Sequence, residues 1–311
     1  MSIAEAGEFG LIARVVARLE NGPTTLLGPG DDSAIVAAPD GRIVASTDVL
    51  VEGRHFRRDW SSGADVGHRA AAANLADIAA MGAVPTALLV GLCAPTDLEV
   101  SWAEDLAGGL SDEAAKVGAA VVGGDTSSSP TLTIAVTALG DLGGQAPVLR
   151  SGAQPGDVIA LAGRIGYAAA GYTVLSRGFR TPKALVEAYR RPAVPYAAGP
   201  VAARAGATSM IDVSDGLLAD AGHLAHDSGV AIDVRTEALE VPEPLLAVAA
   251  ATGAEPISFV LGGGEDHSLL ATFPDAAAVP DGWTVVGTVS EGEGVTVDGA
   301  EYAGETGWTH F

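Results

Sequence analysis

The sequence predicts a two-domain protein of alternating strands and helices, with residues 1–142 as an α/β domain and residues 143–311 as a second mixed domain. Three observations carry that expectation. Short apolar runs alternate with alanine-rich stretches of helical spacing. Residues 140–157, GDLGGQAPVLRSGAQPGD, are turn-rich and read as a junction. The length of 311 residues suffices for two cores of ordinary size.

In chain order, Ile43–Ser46 and Thr131–Ala138 read as buried strands. Between them, Val66–Met81 reads as a helix with Asp65 as its N-cap, Gly82 past its end and Pro85 just beyond. A second helix opens with a capping box, Thr96 and Glu99, and places Leu98, Trp102, Leu106 and Leu110 on one apolar stripe. Past the junction, Val158–Leu161 reads as a strand, and GRIG leads into an alanine-rich helix. Met210–Val213 is the next strand, with Ser214 as N-cap of a helix that Gly229 closes after Ser228. Phe259–Leu261 and Ser268–Phe273 flank a triple glycine, and Gly307–Phe311 carries two aromatics and a histidine.

Composition excludes several classes of function. The net charge of −22, from 39 acids against 17 bases, repels polyphosphate backbones and argues against nucleic-acid binding. No run approaches the roughly 18 apolar residues that a membrane helix needs. The opening MSIAEAGEFG lacks the basic-then-apolar pattern of a signal peptide. A single cysteine, Cys93, permits no intramolecular disulfide, and a cytoplasmic location is expected.

The acids gather beside glycines and small hydroxyl residues, mostly where strands are expected to end. The clusters are Gly30-Asp31-Asp32, Ser46-Thr47-Asp48, Asn74-Leu75-Ala76-Asp77, Gly123-Gly124-Asp125-Thr126, Asp212-Val213-Ser214-Asp215-Gly216 and Gly262-Gly263-Gly264-Glu265-Asp266. One Asp beside one Gly is ordinary turn chemistry. Repeated at the ligand-binding edge of α/β sheets, such carboxylates suit magnesium, which prefers oxygen ligands and bridges to substrate phosphates.

The missing motifs sharpen this reading. There is no G-x-x-x-x-G-K-[ST] loop, and neither lysine, Lys116 nor Lys183, adjoins a glycine loop. A protein that handles triphosphates with so few cations would rely on metal ions, helped by an arginine such as Arg150. Cys93 lies in the apolar run Ala87–Ala94 and reads as core. His223 and His226 read as helix-surface residues. His55 is singled out because it stands among Arg54, Arg57 and Arg58, a basic patch that suits an anionic ligand or a plain surface loop.

Taken in order, GPGDDSAIV, STDVLVEGRHF, NLADIAAMGAVP, GGDT, RSGAQPGD, IDVSDGL, GGGED and the terminal GWTHF resemble the thiamine-monophosphate kinase family from Gly7 to Phe311. That family belongs with aminoimidazole-ribonucleotide synthetase and selenophosphate synthetase. The resemblance implies an α/β plus α+β, two-domain aminoimidazole-ribonucleotide-synthetase-like fold. In it the N-terminal domain binds metal and ATP and forms a homodimer through its sheet, and the C-terminal domain closes the active cleft. It implies magnesium ligands at Asp31, Ser46, Thr47, Asp48, Asp77, Asp125, Asp212 and Asp215, and ATP contacts at Gly124, Asp125, Arg150 and Ser214. It implies thiamine monophosphate contacts at His55, Glu265 and Trp308, with Trp308 as an aromatic surface for a cationic ligand. Asp48, Asp125 and Arg150 would carry the chemistry, a direct in-line transfer of the γ-phosphoryl group of ATP. The chain departs from the family's usual text at His267-Ser268, where Tyr-Glu is usual, and at Arg54, often apolar.

Two other readings compete. Another ATP-using enzyme of the superfamily, aminoimidazole-ribonucleotide-synthetase-like, is one; Cys93 is badly placed for a selenophosphate synthetase, and the chain end lacks the cysteine of the hydrogenase-maturation relatives. The other is a noncatalytic magnesium-nucleotide sensor, which would release no ADP when thiamine monophosphate is added.

Overall fold

The computed structural model describes residues 1–29 and 33–308, so the expected ligand Asp31 and the terminal Phe311 lie outside the described residues. The chain divides into two compact units, Met1–Ile78 with Ala83–Gly144, and Ala79–Gly82 with Gln145–Phe311.

The first unit opens with α1 (Ile3–Val16), which Ser2 and Glu5 start as a reciprocal capping box and Gly7 interrupts at φ 70°. A hairpin of β1 (Thr25–Leu27) and β2 (Ile35–Val36) follows. The main elements are β3 (Val44–Val51), α2 (Gly63–Ala80), β4 (Val84–Ala94), α3 (Val100–Ala115), β5 (Ala120–Ser128) and β6 (Thr133–Asp141). The sheet order is β3-β6-β4-β5, antiparallel except for the parallel β4/β5 pair, so β3 and β5 are its two edges. Ser46, Asp48 and Leu50 alternate with exposed Ala45, Thr47 and Val49 along β3, as a half-buried strand must.

Several expected boundaries moved for local reasons. The N-cap of α2 is Ser62 rather than Asp65. Ser62 Oγ accepts from the Asp65 amide, and the Asp65 carboxylate accepts from the Ser62 amide. Asp65 is thus the N3 member of a capping box. The Thr96–Glu99 box does not form at α3. Glu99 is the N-cap there without a side-chain cap, and its carboxylate pairs with the amino terminus of Met1 at 3.1 Å. Cys93 is half-buried on β4 opposite Thr133 and Ser127, not in the core.

Helices α2 and α3 touch backbone to backbone. A Cβ on Gly63, Gly67 or Gly109 would collide with the carbonyls of Trp102, Leu106 and Ala64 respectively. His68 Nδ1 lies 2.8 Å from Glu113 Oε2 across the same contact, both side chains buried.

The second unit comprises β7 (Val158–Ala162), α4 (Tyr167–Ser176), α5 (Lys183–Arg190), α6 (Ala198–Arg204), β8 (Ser209–Val213), α7 (Leu217–Ser228), β9 (Ala231–Val234), α8 (Glu243–Thr252), α9 (Pro256–Gly262), β10 (Ser268–Phe273), β11 (Trp283–Ser290) and β12 (Gly294–Val297). Its six strands run in the order β12-β9-β11-β7-β10-β8, antiparallel apart from β9/β12. Every residue of β8 and β10 is buried. Helix α7 begins at Leu217 after Gly216, two residues later than Ser214 suggested, and Gly229 closes it in the left-handed conformation. Among the described residues no single helix is long and apolar enough to cross a membrane.

Candidate phosphate and metal site

In the first unit, α2 lays two polar residues against β3. Ser46 Oγ donates to Asp77 Oδ2 at 2.6 Å, and the Asp48 amide donates to Asn74 Oδ1 at 3.0 Å. Asn74 is fully buried, and its Nδ2 donates to Ala70 O at 2.9 Å, so its amide braces the helix to the strand. Ser46, Asp48 and Asp77 therefore form one oxygen-rich group on one sheet face. Thr47 points to the other face. Its Oγ1 donates to Val136 O and accepts from Thr137 Oγ1, leaving only its backbone for a ligand on the Asp48 side. This cluster lies mid-strand, not at the strand end the sequence suggested, because β3 stays paired with β6 as far as Val51.

Asp125 is placed elsewhere. It is exposed on β5 opposite Gly91, whose row continues through Ala135 to Val49, whereas the Asp48 row runs through Val136 and Val90 to Gly124. With two strands between the edges, the Asp48 and Asp125 backbones stand roughly 14 Å apart at ordinary strand spacing. One chain's sheet does not bring them to a common ion, since magnesium ligands lie about 2 Å from the metal. Gly124 has a packing reason to be glycine, because a Cβ there would collide with the Val90 carbonyl. Beside the end of β5 a cavity of about 370 Å³ is lined by Ile3, Gly7, Leu11, Leu92, Thr126 and Ser127.

His55 sits in the turn after β3, where its Nδ1 accepts from the Val51 amide at 3.0 Å. A neutral His55 therefore carries its proton on Nε2. The expected basic patch is largely neutralised, with Arg58 on Glu52 at 2.6 Å and Arg57 on Asp59 at 2.9 Å.

In the second unit, three segments are stitched together by backbone hydrogen bonds at the end of β8. The Glu265 amide donates to Ser214 O at 2.7 Å, the His267 amide to Val213 O at 3.0 Å, and the Trp308 amide to Asp215 O at 3.0 Å. Asp212, Ser214, Asp215, Glu265 and Trp308 are thus brought together, with Trp308 56% exposed. The glycines allow this closeness, because a Cβ on Gly264 would collide with Ser214 O. Arg150 is anchored at the other end of β8, where Leu149 O accepts from the Met210 amide and Arg150 O from Ser228 Oγ.

Sequence reasoning missed Asp220 and gave His267 no role. Asp220 Oδ2 accepts from the amides of Asp215 and Gly216 at 3.1 and 3.0 Å and so shapes the loop. Burial pushes its pKa up to about 7, against the Gly216 hydrogen bond and with help from Asp212 and Asp215. Asp215, Asp220 and His223 form the one group of three such side chains, among the described residues, whose ligand atoms all lie within 4.8 Å of one another. The signal in the sequence was D-G-L-L-A-D, an acid one helical turn past the loop. His267 is buried, and its Nδ1 lies 3.1 Å from Asp212 Oδ2.

Residues 30–142 match the family model for the AIR synthase related protein N-terminal domain, and residues 154–299 that for its C-terminal domain. Over its whole length the chain is 48% identical to the thiamine-monophosphate kinase of Mycobacterium tuberculosis, covering 93% of that protein. It is 41% identical to that of Corynebacterium glutamicum, covering 95% of it. A solved structure of the Aquifex aeolicus relative, AaThiL complexed with AMPPCP and TMP, matches with a TM-score of 0.82 at 36% identity, covering 100% of this chain and 99% of that one. With both domain types matched in order and relatives of this identity aligned from end to end, the chain is an enzyme of the thiamine-monophosphate kinase family.

Proposed function

We propose that the chain transfers the γ-phosphoryl group of ATP to thiamine monophosphate, giving thiamine diphosphate and ADP, in the cytoplasm. The observation that carries the reading is the gathering of Asp212, Ser214, Asp215, Glu265 and Trp308 at one end of β8, in a chain that aligns along its full length with a relative complexed with AMPPCP and TMP.

The donor sets fit magnesium. Asp48, Asp77 and Ser46 in one unit, and Asp212 and Asp215 in the other, offer hard oxygens and no thiolate, and Asp31 and Asp125 would add to them. Bound there, the ions would neutralise charge on the phosphate groups. The chain's own groups do the rest. His55 presents Nε2–H to an anionic oxygen. Arg150 supplies a guanidinium that makes no ion pair among the described residues. Trp308 offers an exposed ring to the cationic part of thiamine.

The acceptor is a phosphate oxygen, ionised at neutral pH with a second pKa of about 6. It needs no general base. In the transfer that oxygen bonds to the γ-phosphorus while the bond from phosphorus to the β–γ bridging oxygen breaks, and ADP leaves. A γ-phosphate made chiral with oxygen isotopes should come through inverted; retention would mean a phosphoenzyme. Incubation with MgATP and thiamine monophosphate should yield thiamine diphosphate and ADP in equal amounts by chromatography. ATP bound without any thiamine diphosphate formed would overturn the reading in favour of a sensor.

The site also requires two copies of the chain. The sheet face away from α2 exposes Val49 by 49% and Leu89 by 39% and flanks them with Ala45, Ala135 and Leu139, an apolar surface that suits a homodimer. Pairing two sheets there carries the β5 edge of one copy toward the β3 edge of the other. Asp125 then serves its neighbour's Asp48 and Asp77.

A further inference from the structure

We infer that His267 is a positioning residue, which fixes the carboxylate of Asp212 for divalent-cation binding. The inference rests on the reading of Asp212 as a metal ligand. Asp212 and His267 are 4% and 5% exposed, and Nδ1 of the imidazole is 3.1 Å from Asp212 Oδ2. The two come from neighbouring strands, since β10 pairs with β8 through Ser268 opposite Val213 and Leu269 opposite Asp212. His267 stands just before that ladder, with its amide on Val213 O.

The backbone is bent to put the ring there. Glu265 and His267 adopt φ of 69° and 52°, left-handed values that non-glycine residues rarely hold. Three bonds keep them so: Glu265 N–H to Ser214 O, His267 N–H to Val213 O, and the Ala168 amide to Asp266 Oδ1 at 2.9 Å. Strain of this sort persists where the surroundings impose it and gathers at functional sites. The adjacent Ser268 Oγ donates to Arg164 O at 2.7 Å. The two residues that replace the family's usual Tyr-Glu are therefore both built into this chain's bonding.

Chemically, Nδ1–H donates to one oxygen of Asp212 whether the ring is neutral or charged. A carboxylate held by one oxygen keeps the other in a fixed direction. Such orienting hydrogen bonds to metal ligands typically change affinity by about 10–100-fold when removed. Nε2 faces Glu265 Oε2 at 3.9 Å, beyond hydrogen-bond range.

The test compares His267→Phe, His267→Asn and Asp212→Asn in the full chain. Two quantities are read: the free magnesium needed for half-maximal turnover at saturating ATP and thiamine monophosphate, and binding of Mn2+ alone by electron paramagnetic resonance. The phenyl variant should need roughly tenfold more magnesium and bind Mn2+ correspondingly more weakly, with turnover at saturating metal within about threefold of normal. The Asn variant, whose Nδ2 can donate to the same oxygen, should stay within about threefold in both. Unchanged metal dependence in His267→Phe, while Asp212→Asn shifts it, overturns the role of His267 and leaves the metal site standing. No shift in Asp212→Asn either brings down both. An Asn variant as impaired as Phe also overturns the inference, and His267→Leu replaces the phenyl variant if that chain does not fold.

Discussion

Asp266 is packed inside the second unit with one oxygen on the Ala168 amide, and burial pushes its pKa up to about 7 from an ordinary 3.8, against that hydrogen bond and the nearby His267 and Arg164. Between pH 4 and 7 the unfolded chain has lost this proton and the folded chain keeps it, so the folded state loses stability as pH rises through that window. A rise from 3.8 to about 7 amounts to about 4 kcal/mol at most. Urea unfolding at pH 5.5 and 8 should show the wild type weakening with pH more than Asp266→Asn does; identical pH dependence in the two would refute the assignment. For catalysis, Asp48→Ala or Asp125→Ala should lower turnover by at least about a thousandfold with an unchanged circular dichroism spectrum, and near-normal activity in either would sink the metal assignment. At this scale the sequence pointed to acids near glycines and small hydroxyl residues, and the fold sets Asp77 on Ser46 and brings Glu265 to the Ser214 loop. It did not show Asp220 or the Asn74 brace, whose partners are backbone groups that only the folded chain brings near.

At the scale of elements, the position of the Ser46–Asp77 pair depends on how α2 seats, and α2 seats by bare backbone on α3. Gly109→Ala should raise intrinsic helix stability by about 1 kcal/mol. It also pushes a methyl into the Ala64 carbonyl, at about 1–3 kcal/mol. A net loss of stability together with a raised magnesium requirement is expected; a more stable protein with normal metal dependence would contradict the close contact. Helix and strand identities were legible from period and caps, since these are local. Their ends were less so. Ser62 and Thr96 both stand three residues before an acid, and only Ser62 forms its box, because Glu99 has the amino terminus of Met1 to bind instead. Strand order was not legible, because β6 intervenes between β3 and β4 through pairings that no local pattern records.

For the whole molecule, the apolar face bearing Val49 and Leu89 is the feature that a single chain leaves unexplained. Leu89→Asp should convert a sedimenting dimer to a monomer and abolish turnover, because each monomer would then lack an Asp125 for its Asp48 group. A monomer with full activity would rule out the shared site. The turn residues of 140–157 led to an expected junction there, the compact units divide after Gly144, and the net charge of −22 argues against nucleic acid. The face was not legible, because Val49 and Leu89 read as ordinary strand residues until the sheet's two sides are known.

The division of Asp48 and Asp125 between opposite edges of one sheet has a genetic meaning. On the proposed shared site, a chain lacking one and a chain lacking the other should each be inactive, yet a mixed dimer should hold one site with neither defect and one with both. Coexpressed in equal amounts, about half the dimers are mixed, so activity should return to about a quarter of normal. Two null alleles would then support growth without supplied thiamine diphosphate where neither does alone.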